Sequence, residues 1–543
     1  MRTVFRWRKR ISRKKYFFPR LLRFFGIDAI VQLWIRDDVQ RSAFRFCLSS
    51  LLEKQDKQKE PCRFFAKRYG FYVFFQGVKS YGTLEKIGLK ISFISLYAKN
   101  SRKQGERERI MTADFILISE SVFAAEGNVP FSGYVAVRGE RILACGPGQV
   151  PASLVGPDTK ITDLGDRTVL PGFSDVHCFF TGWAAEQKGI DPEDRAARDA
   201  MLSDRDYILP KFRSYMQLMN SRGVTSVKEM GFDDFSGFPD LLSDLEKNGE
   251  LTLRVHFMSQ PVNAPMDLAF GRACAGRFTG DFLRFSGFNR MTDGSISQLE
   301  GEMKAPYLCA PDSCCRLSID WDRIAEDTRA ADREGFRFSL HAQGDAAISK
   351  VADILETCRR DEDGRLVNRH SVTDLECSDP ADLDRLGRIG AVAEIYPQIQ
   401  SIADREGKLA MIAEKIGSER GKNYWNRRRM ADAGMILSCG TDLPLLIDDI
   451  PQSVYHAVGG YFPEGGEPFN AGNMLKTGEL LRAWTYGGAY NLYREQEFGT
   501  LAEGKKADIT VLTGNVFAVP AEQARSLKVA ETLVSGKTVY RAE

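Results

Sequence analysis

The stretch Thr168–Gly182, TVLPGFSDVHCFFTG, decides the fold of this chain of 543 residues. Its apolar run, Val169 and Leu170, meets a Pro-Gly pair, and the chain then carries one histidine, His177, out of a strand into a loop. In a (β/α) barrel, the functional side chains stand at the carboxyl ends of the strands, next to the loops. The stretch therefore predicts the first strand of such a barrel, with His177 at its mouth.

Seven further apolar runs follow, separated by helical segments, which is the alternation of a parallel barrel. They are Val224–Glu229, Leu251–Met258, Phe282–Met291, Phe336–His341, His370–Glu376, Ala391–Pro397 and Ile436–Pro444. Shorter apolar runs flank them, at Ala113–Ile118, Gly133–Val137 and Arg141–Cys145 on one side and at Ala507–Leu512 and Glu531–Arg541 on the other. The predicted fold is α/β, a TIM (β/α)8 barrel with a small composite β-sandwich built from the segments before and after it.

Charge divides the chain into two unlike parts. Residues 1–110 contain 27 Lys and Arg against 9 Asp and Glu, whereas the remaining residues contain 48 against 64. The basic, aromatic-rich first part has no persistent helical or strand period, which leaves two interpretations open. It is either an arm for a membrane surface or nucleic acid, or a poorly ordered extension outside a native protein that begins at Met111. The missing pattern favours the extension, so no nucleic-acid partner is expected.

These observations predict four segments. They are an extension at 1–110, the first part of the sandwich at 111–167, the barrel at 168–495 and the second part of the sandwich at 496–543. Eleven cysteines without a CxxC motif or regular spacing are typical of reduced thiols in the cytoplasm. No run approaches the ~18 apolar residues of a membrane helix, and no signal-peptide pattern is present, so we expect a cytoplasmic protein without membrane insertion. The sequence does not indicate the oligomeric state.

Three polar residues end predicted strands: His177 the first, His341 (in LHAQGD) the fifth and Asp442 (in GTDLP) the eighth. Each one alone is typical of a loop cap. Together, at the same face of a barrel, they indicate a site. Two imidazoles and a carboxylate suit Zn, Fe or Mn.

Several motifs resemble those of the amidohydrolase superfamily, and in particular of amidohydrolase family 3. PGFSDVHCF is similar to the superfamily's PGFID-x-H-x-H, and GTLAEGKKADITVL to its closing G-x-L-x-x-G-K-x-A-D run. The similarity to family 3, which includes N-substituted formamide deformylases and exoenzyme-regulatory proteins, rests on LHAQGDAAISKVADILE, NRHSVTDLECSDPADLDRLGRIGAVAEIYPQ and ILSCGTDLP. It covers residues 111–543 and implies a TIM barrel that uses one or two divalent metals to hydrolyse C–N bonds of amides or related groups.

The resemblance also implies roles for individual residues. Metal ligands are expected at His177, His341, Asp374 and Asp442, and Asp442 is also the catalytic residue that passes a proton to the leaving nitrogen. Substrate contacts are expected from Asp293 and Ser295. Glu229 ends the second strand beside Lys228, and it either contacts substrate or belongs to a solvated salt-bridging pair.

Three positions depart from the family pattern. Phe179 replaces the second histidine of the first strand, Asn289 replaces a lysine whose carbamate bridges two metals, and Asp374 replaces a histidine of the sixth strand. A binuclear centre is therefore not expected. The favoured function is a mononuclear metal-dependent hydrolase that acts, with one Zn, Fe or Mn ion, on a non-peptide C–N bond of a small amide-like substrate. The alternative is a catalytically inactive barrel that binds a small ligand or a partner.

Overall fold

The computed structural model describes residues 112–191, 194–231, 237–260, 265–446 and 448–543, together with the backbone of two short strands. These are β1 (Arg63–Ala66) and β2 (Phe71–Phe74), which pair in antiparallel fashion. The chain divides into two compact units, Met1–Arg109 and Ile110–Glu543. The other expectations for residues 1–110 lie outside the described residues, and the four predicted domain limits stay predictions.

Eight parallel strands form the barrel, and each pairs with its neighbour in chain order. They are β8 (Phe173–Cys178), β9 (Val224–Glu229), β10 (Arg254–Ser259), β11 (Leu283–Met291), β12 (Phe338–Ala342), β13 (Ser371–Asp374), β14 (Val392–Ile395) and β15 (Ile436–Cys439). The circle is completed where the Asp442 N–H donates to the His177 carbonyl (2.7 Å) and the Phe179 N–H to the Leu443 carbonyl (2.9 Å). The predicted TIM barrel is confirmed.

Several helices between the barrel strands bury one apolar face against the barrel wall. Phe238–Lys247 shows the pattern, since Phe238, Leu241, Leu242 and Leu245 recur at helical spacing and are buried. The other helices are Phe180–Lys188, Arg195–Ser203, Arg205–Ser221, Leu268–Arg277, Trp321–Arg333, Asp345–Glu356, Pro380–Ile389, Arg405–Lys415, Ser418–Gly421, Arg427–Asp432, Gln452–Ala457, Thr477–Arg482, Gly488–Asn491 and Ala521–Ala524. A π-helical turn covers Ala483–Gly487, and 3₁₀ turns cover Ala152–Leu154, Ile296–Gln298, Ile399–Ile402 and Ala471–Asn473. Among the helices described, none is both long and apolar enough to cross a bilayer.

The apolar run that opens the motif belongs to a different sheet from His177, which corrects the sequence-based prediction. Val169 and Leu170 lie in β7 (Thr168–Pro171), whose partners are strands outside the barrel. The chain enters the barrel at Gly172, where an added Cβ would stand 2.3 Å from the Thr225 side chain. Only glycine fits there, so the Pro-Gly pair marks the passage between two sheets and not a bend in one strand.

The second sheet is built from both ends of the described unit. Its strands are β3 (Phe115–Val122), β4 (Phe131–Arg138), β5 (Arg141–Pro147), β6 (Lys160–Asp163), β7, β16 (Ile509–Leu512), β17 (Val529–Val534) and β18 (Lys537–Arg541). They lie in the order β18-β17-β16-β7-β3-β4-β5, with β6 added to β3. A buried ion pair connects this sheet to the amino-terminal end of the barrel, where β10 begins. The guanidinium of Arg254 binds both carboxylate oxygens of Asp508, at 2.9 and 3.1 Å, and Asp508 also accepts the Ser535 N–H at 2.7 Å.

Candidate functional site

A buried carboxylate fixes the two ends of the barrel circle beside each other. Asp175, within the PGFSDVH motif, accepts hydrogen bonds from the Thr441 hydroxyl (2.5 Å), the Thr441 N–H (3.1 Å) and the His177 N–H (3.2 Å). Burial raises the pKa of Asp175, and these hydrogen bonds oppose that shift. Thr441 immediately precedes Asp442, so Asp175 holds His177 and Asp442 next to each other.

The four residues predicted as metal ligands meet at the carboxyl-end mouth of the barrel as two pairs. His177 Nε2 lies 3.7 Å from Asp442 Oδ1, and His341 Nε2 lies 3.2 Å from Asp374 Oδ2. Two ligand atoms bound tetrahedrally to one ion at about 2.0–2.2 Å stand about 3.3–3.6 Å apart. The two observed separations lie just outside this range, one on each side, and the shorter one is also a hydrogen bond between His341 and Asp374.

The two pairs do not close into one compact set. In the part of the chain that the structure describes, no three donor atoms of these four residues lie within 4.8 Å of one another. The pairs still influence each other electrostatically, because the pKa of Asp442 responds to His177, His341 and Asp374. The mouth thus presents two adjacent imidazole–carboxylate half-sites.

Burial and charge set the protonation of these groups. Burial alone would lower the pKa of His341, but its hydrogen bond to Asp374 and the charges of Asp374, Asp293 and Asp442 raise it. Burial raises the pKa of Asp442, and the nearby His177 and His341 oppose the shift only in part. Asp442 therefore keeps a proton to higher pH than an ordinary aspartate, which suits a proton donor.

Several buried polar atoms around the mouth have no protein partner among the described residues. They are His341 Nδ1, Asn289 Oδ1 and the Tyr396 hydroxyl. Leaving such a group unpaired costs about 1–3 kcal/mol, so a concentration of them indicates a place built for a ligand, an ion or ordered water. His177 Nδ1 faces Glu394 Oε2 at 3.7 Å.

Phe179 and Asn289 both border this mouth. The Phe179 ring lies edge-on to the His177 ring with centroids 5.5 Å apart, and the Tyr396 ring flanks His177 from another direction at 5.4 Å. Asn289 is 1% exposed, and its amide donates to Gln260 Oε1 at 3.0 Å. An aromatic ring and an amide thus occupy the positions where the family resemblance implies further ligands.

Asp293 and Ser295 organise loops at the barrel mouth. The Asp293 carboxylate accepts the N–H groups of Gln343, Gly344 and Glu302, each at 2.9 Å, and burial raises its pKa to about 6. Ser295 accepts the Ser297 N–H at 3.2 Å and caps the turn Ile296–Gln298. Substrate contact by either residue stays a prediction.

The expectations for Glu229 and Lys228 are contradicted, because successive strand residues face opposite sides. Glu229 points out of the barrel, is fully buried and accepts hydrogen bonds from the Phe180 N–H (2.8 Å) and the Tyr215 hydroxyl. Burial raises its pKa to about 8. A carboxylate in this position neither reaches substrate nor forms a solvated pair with Lys228.

Lys228 instead belongs to a charged network inside the barrel that the sequence analysis missed. Its ammonium pairs with Glu394 and also donates to Ser339 Oγ at 3.2 Å. Arg337 Nη2 reaches the same carboxylate at 3.3 Å, and Thr373 Oγ1 donates to it at 2.8 Å. The glutamate in the otherwise apolar run AVAEIYP was the sequence signal for this network. Glu394 lies directly behind His177 and supplies the carboxylate that His177 Nδ1 faces.

A second cluster, Asp332, Cys358 and His370, has donor atoms within 4.8 Å of one another. His370 Nδ1 accepts the Phe338 N–H at 3.0 Å, which places the ring proton on Nε2, facing Asp332 Oδ1 at 3.0 Å. Both ring nitrogens are therefore engaged within the protein. The cluster is a structural hydrogen-bond group and not a metal site.

An eight-stranded parallel barrel with histidines and carboxylates at its mouth is an arrangement that occurs in hydrolases, and comparison with known proteins agrees with that class. The sequence profile of the amidohydrolase family matches residues 179–540. The chain belongs to the amidohydrolase family. Members of this family act as hydrolases on C–N bonds and typically depend on metal ions.

The chain is also similar to individual members. It is 24% identical to the YtcJ protein of Bacillus subtilis (strain 168) over 49% of each chain, and 26% identical to the N-substituted formamide deformylase of Arthrobacter pascens over 39% of this chain and 38% of that protein. The matches thus span half or less of these curated relatives. An uncharacterized metal-dependent hydrolase from Pyrococcus horikoshii OT3 has the same fold, with a TM-score of 0.60 and 18% identity over 75% of this chain and 99% of that one.

Proposed function

We propose that the barrel mouth hydrolyses a non-peptide C–N bond of a small amide-like substrate with the help of one divalent metal ion. The observation that carries the proposal is the meeting of His177 with Asp442 and of His341 with Asp374 at distances of 3.7 and 3.2 Å. The four residues come from distant parts of the chain, and their donor types suit Zn, Fe or Mn.

The donor types favour one ion over a bridged pair, and the two half-sites would have to draw together for all four residues to bind it. Phe179 provides no donor atom, and Asn289 cannot form the carbamate that would bridge two ions. His177 and Asp442 would hold the ion, with His341 and Asp374 as the adjoining donors. When bound, such an ion lowers the pKa of a water ligand to about 7 and polarises the substrate carbonyl.

Side chains of the protein orient the metal-binding imidazole, transfer the proton and limit the access of water. Glu394 faces His177 Nδ1 and favours the tautomer that leaves Nε2 free to bind. The Asp442 carboxylate takes a proton from the attacking water and then passes it to the leaving nitrogen. Phe179 and Tyr396 flank His177 with aromatic surface that limits access of bulk water.

A second function, a catalytically inactive barrel that binds a small ligand, is favoured by one set of observations. Phe179, Asn289 and Asp374 each stand where the family resemblance implies a stronger ligand. A catalytically inactive barrel would retain the unpaired polar atoms at its mouth without binding a metal ion. Such a protein would bind small amides without turning them over.

Hydrolysis assays with matched variants separate the two functions. Metal-free protein is loaded in turn with Zn, Fe(II) and Mn and tested on N-substituted formamides and other small amides. We expect turnover that Asp442→Asn lowers at least about 100-fold, because the proton donor is lost. Asp449→Asn is the control, since Asp449 lies in the same loop but pairs with the exposed Lys528 at 2.6 Å. Ligand binding without turnover under any metal would reject the hydrolase in favour of the binder.

A further inference from the structure

The helix Arg405–Lys415 is only lightly packed onto the barrel mouth. It belongs to the connection between β14 and β15, which leaves the carboxyl end of a strand and therefore lies on the mouth side. Of its 11 residues, Ile412 is the one that is buried. Ile412 packs into a cluster of loop side chains, separate from the main core, that also contains Cys377, Tyr424 and Trp425. An element with so little buried apolar surface detaches at a low free-energy cost.

One flank of this helix borders an open groove of about 780 Å³. The groove is mostly apolar, and its lining includes Leu409, Ala410, Ala413 and Phe469. Hydrogen bonds fasten the two ends of the helix. The Arg405 N–H donates to Glu464 Oε1 at 2.5 Å, and the Leu308 N–H donates to the Lys415 carbonyl at 2.8 Å. The middle of the helix therefore has room to move on one side while its ends stay attached.

An ammonium group ties the middle of the helix to the mouth. Lys408 Nζ lies 2.9 Å from Glu376 Oε1. The same ammonium stands over two aromatic rings, 4.7 Å from the centroid of Tyr424 and 4.9 Å from that of Trp425. A carboxylate and two aromatic faces form a cage for an ammonium group, because the ion pair and the two cation–π contacts act on one charge. We call Glu376, Tyr424 and Trp425 the ammonium cage.

The ammonium cage stands beside the predicted metal ligands. Glu376 follows Asp374 by two residues, and Trp425 lines the same narrow space as Asp374. The Trp425 N–H donates to the Glu376 carbonyl at 2.7 Å, which joins two walls of the cage. Trp425 has a φ of 48°, a left-handed conformation that is unfavourable for a bulky residue and persists only where the surroundings hold it. The contact with Lys408 is part of those surroundings.

We propose that the helix Arg405–Lys415 is a lid of the barrel mouth and that Lys408 is its latch. In the closed arrangement the helix covers Cys377. Once Lys408 leaves the ammonium cage, the helix turns about its two ends toward the groove and widens the entrance beside Asp374. An ammonium suits a latch because it binds the cage firmly and is hydrated again on release, whereas a released apolar side chain would be left in water. Neither the helix nor the cage contains an expected metal ligand, so the lid is independent of the proposed hydrolysis.

The thiol of Cys377 reports whether the lid is open, because it is 1% exposed in the cluster beneath the helix. We expect Lys408→Met to raise its rate of alkylation by iodoacetamide about 10- to 100-fold in the full chain, measured by mass spectrometry, since a charged hydrogen bond that holds the lid is lost. Lys415→Met is the matched control. Lys415 lies in the same helix but pairs with the exposed Glu414 at 2.8 Å, so this variant should change the rate by no more than about twofold.

Cys358 separates opening of the lid from unfolding of the barrel, because it is buried in the main core. Its alkylation should stay slow in Lys408→Met. Equal acceleration of Cys358 and Cys377 would show that Lys408 supports the whole fold, and no acceleration of Cys377 would show that it latches nothing. Either result overturns the proposal. Glu376→Gln keeps the shape of the cage and serves if Lys408→Met does not fold, and it should raise labelling of Cys377 about three- to tenfold.

Chemical rescue tests the charge of the latch. In Lys408→Ala, n-propylammonium can fill the space of the missing side chain and place its charge in the ammonium cage. We expect millimolar n-propylammonium to slow alkylation of Cys377 in this variant at least about threefold, whereas n-propanol should not. Equal slowing by the alcohol, or none by the amine, would reject the ammonium cage. None of these readouts requires turnover, so their failure is distinct from a failure of the proposed hydrolysis.

Discussion

Lys228→Met should destabilise the barrel because it leaves the buried Glu394 carboxylate without its ammonium partner. Lys228 and Glu394 are both completely buried, and each is the other's ion-pair partner. Burial lowers the pKa of Lys228, whereas the charges of Lys228, His177 and Arg337 overcome burial and hold the pKa of Glu394 well below its usual range. Without the ammonium, Glu394 retains Arg337 at 3.3 Å, His177 at 3.7 Å and neutral donors.

Breaking a buried pair in this way costs about 3–5 kcal/mol, and the remaining Arg337 favours the lower end of that range. A unit of about 430 residues unfolds with an entropy of roughly 0.9 kcal/mol per kelvin, so the melting midpoint should fall by about 3–6 °C. Lys228→Met/Glu394→Gln removes both charges and should cost less than the sum of the two single variants, by about 2 kcal/mol or more.

Thermal unfolding followed by circular dichroism at one pH measures all four proteins of this cycle. The control is Lys350→Met, whose ammonium is 42% exposed and pairs with Glu302 at 2.5 Å, and which should shift the midpoint by no more than about 1 °C. Strict additivity of the two single variants, within about 0.5 kcal/mol, would refute the buried pair as the unit that stabilises the barrel interior.

Three shorter predictions concern other parts of the molecule. Because burial raises the pKa of Glu229 to about 8, the folded chain keeps a proton that the unfolded chain loses near pH 4.5, so stability should fall as pH rises between those values. Melting curves of Glu229→Gln across this range should show a flatter pH dependence, and an unchanged slope would contradict the buried acid. Asp508→Asn should lower the melting midpoint by about 3–5 °C, because the buried Arg254 loses the carboxylate that accepts two of its hydrogen bonds. An unchanged midpoint would show that this ion pair does not stabilise the contact between the barrel and the second sheet. Phe179→His should tighten metal binding about tenfold in competition titrations, because a second imidazole is added beside His177, whereas unaltered affinity would place the ion elsewhere.

The barrel was predictable from the sequence because its strands are short apolar runs that end in polar residues. His177, His341 and Asp442 were identifiable on that basis, since the carboxyl ends of parallel strands meet at one mouth. The pairing of His341 with Asp374 and the separation into two half-sites depend on side-chain geometry that a sequence does not express.

Residues whose role depends on the direction of a side chain were harder to assign. Lys228 and Glu229 are neighbours that both end a strand, yet one faces the barrel interior and the other the surrounding helices. Arg427 is the first of three consecutive arginines, a pattern typical of a solvated helix face. Only the packed structure shows that Arg427 is buried, whereas Arg428 and Arg429 pair with carboxylates.

Metal content is the most direct test of the central claim that this mouth holds one catalytic ion. Elemental analysis of the purified full chain, after equilibration with Zn or Mn and removal of free ions, should give one ion per chain. His341→Ala and Asp442→Asn should each lower that occupancy. His456→Gln is the control and should leave the occupancy unchanged, because the imidazole of His456 bonds the Tyr461 carbonyl and not the mouth. Two ions per chain, or none in a folded wild-type protein, would contradict the account.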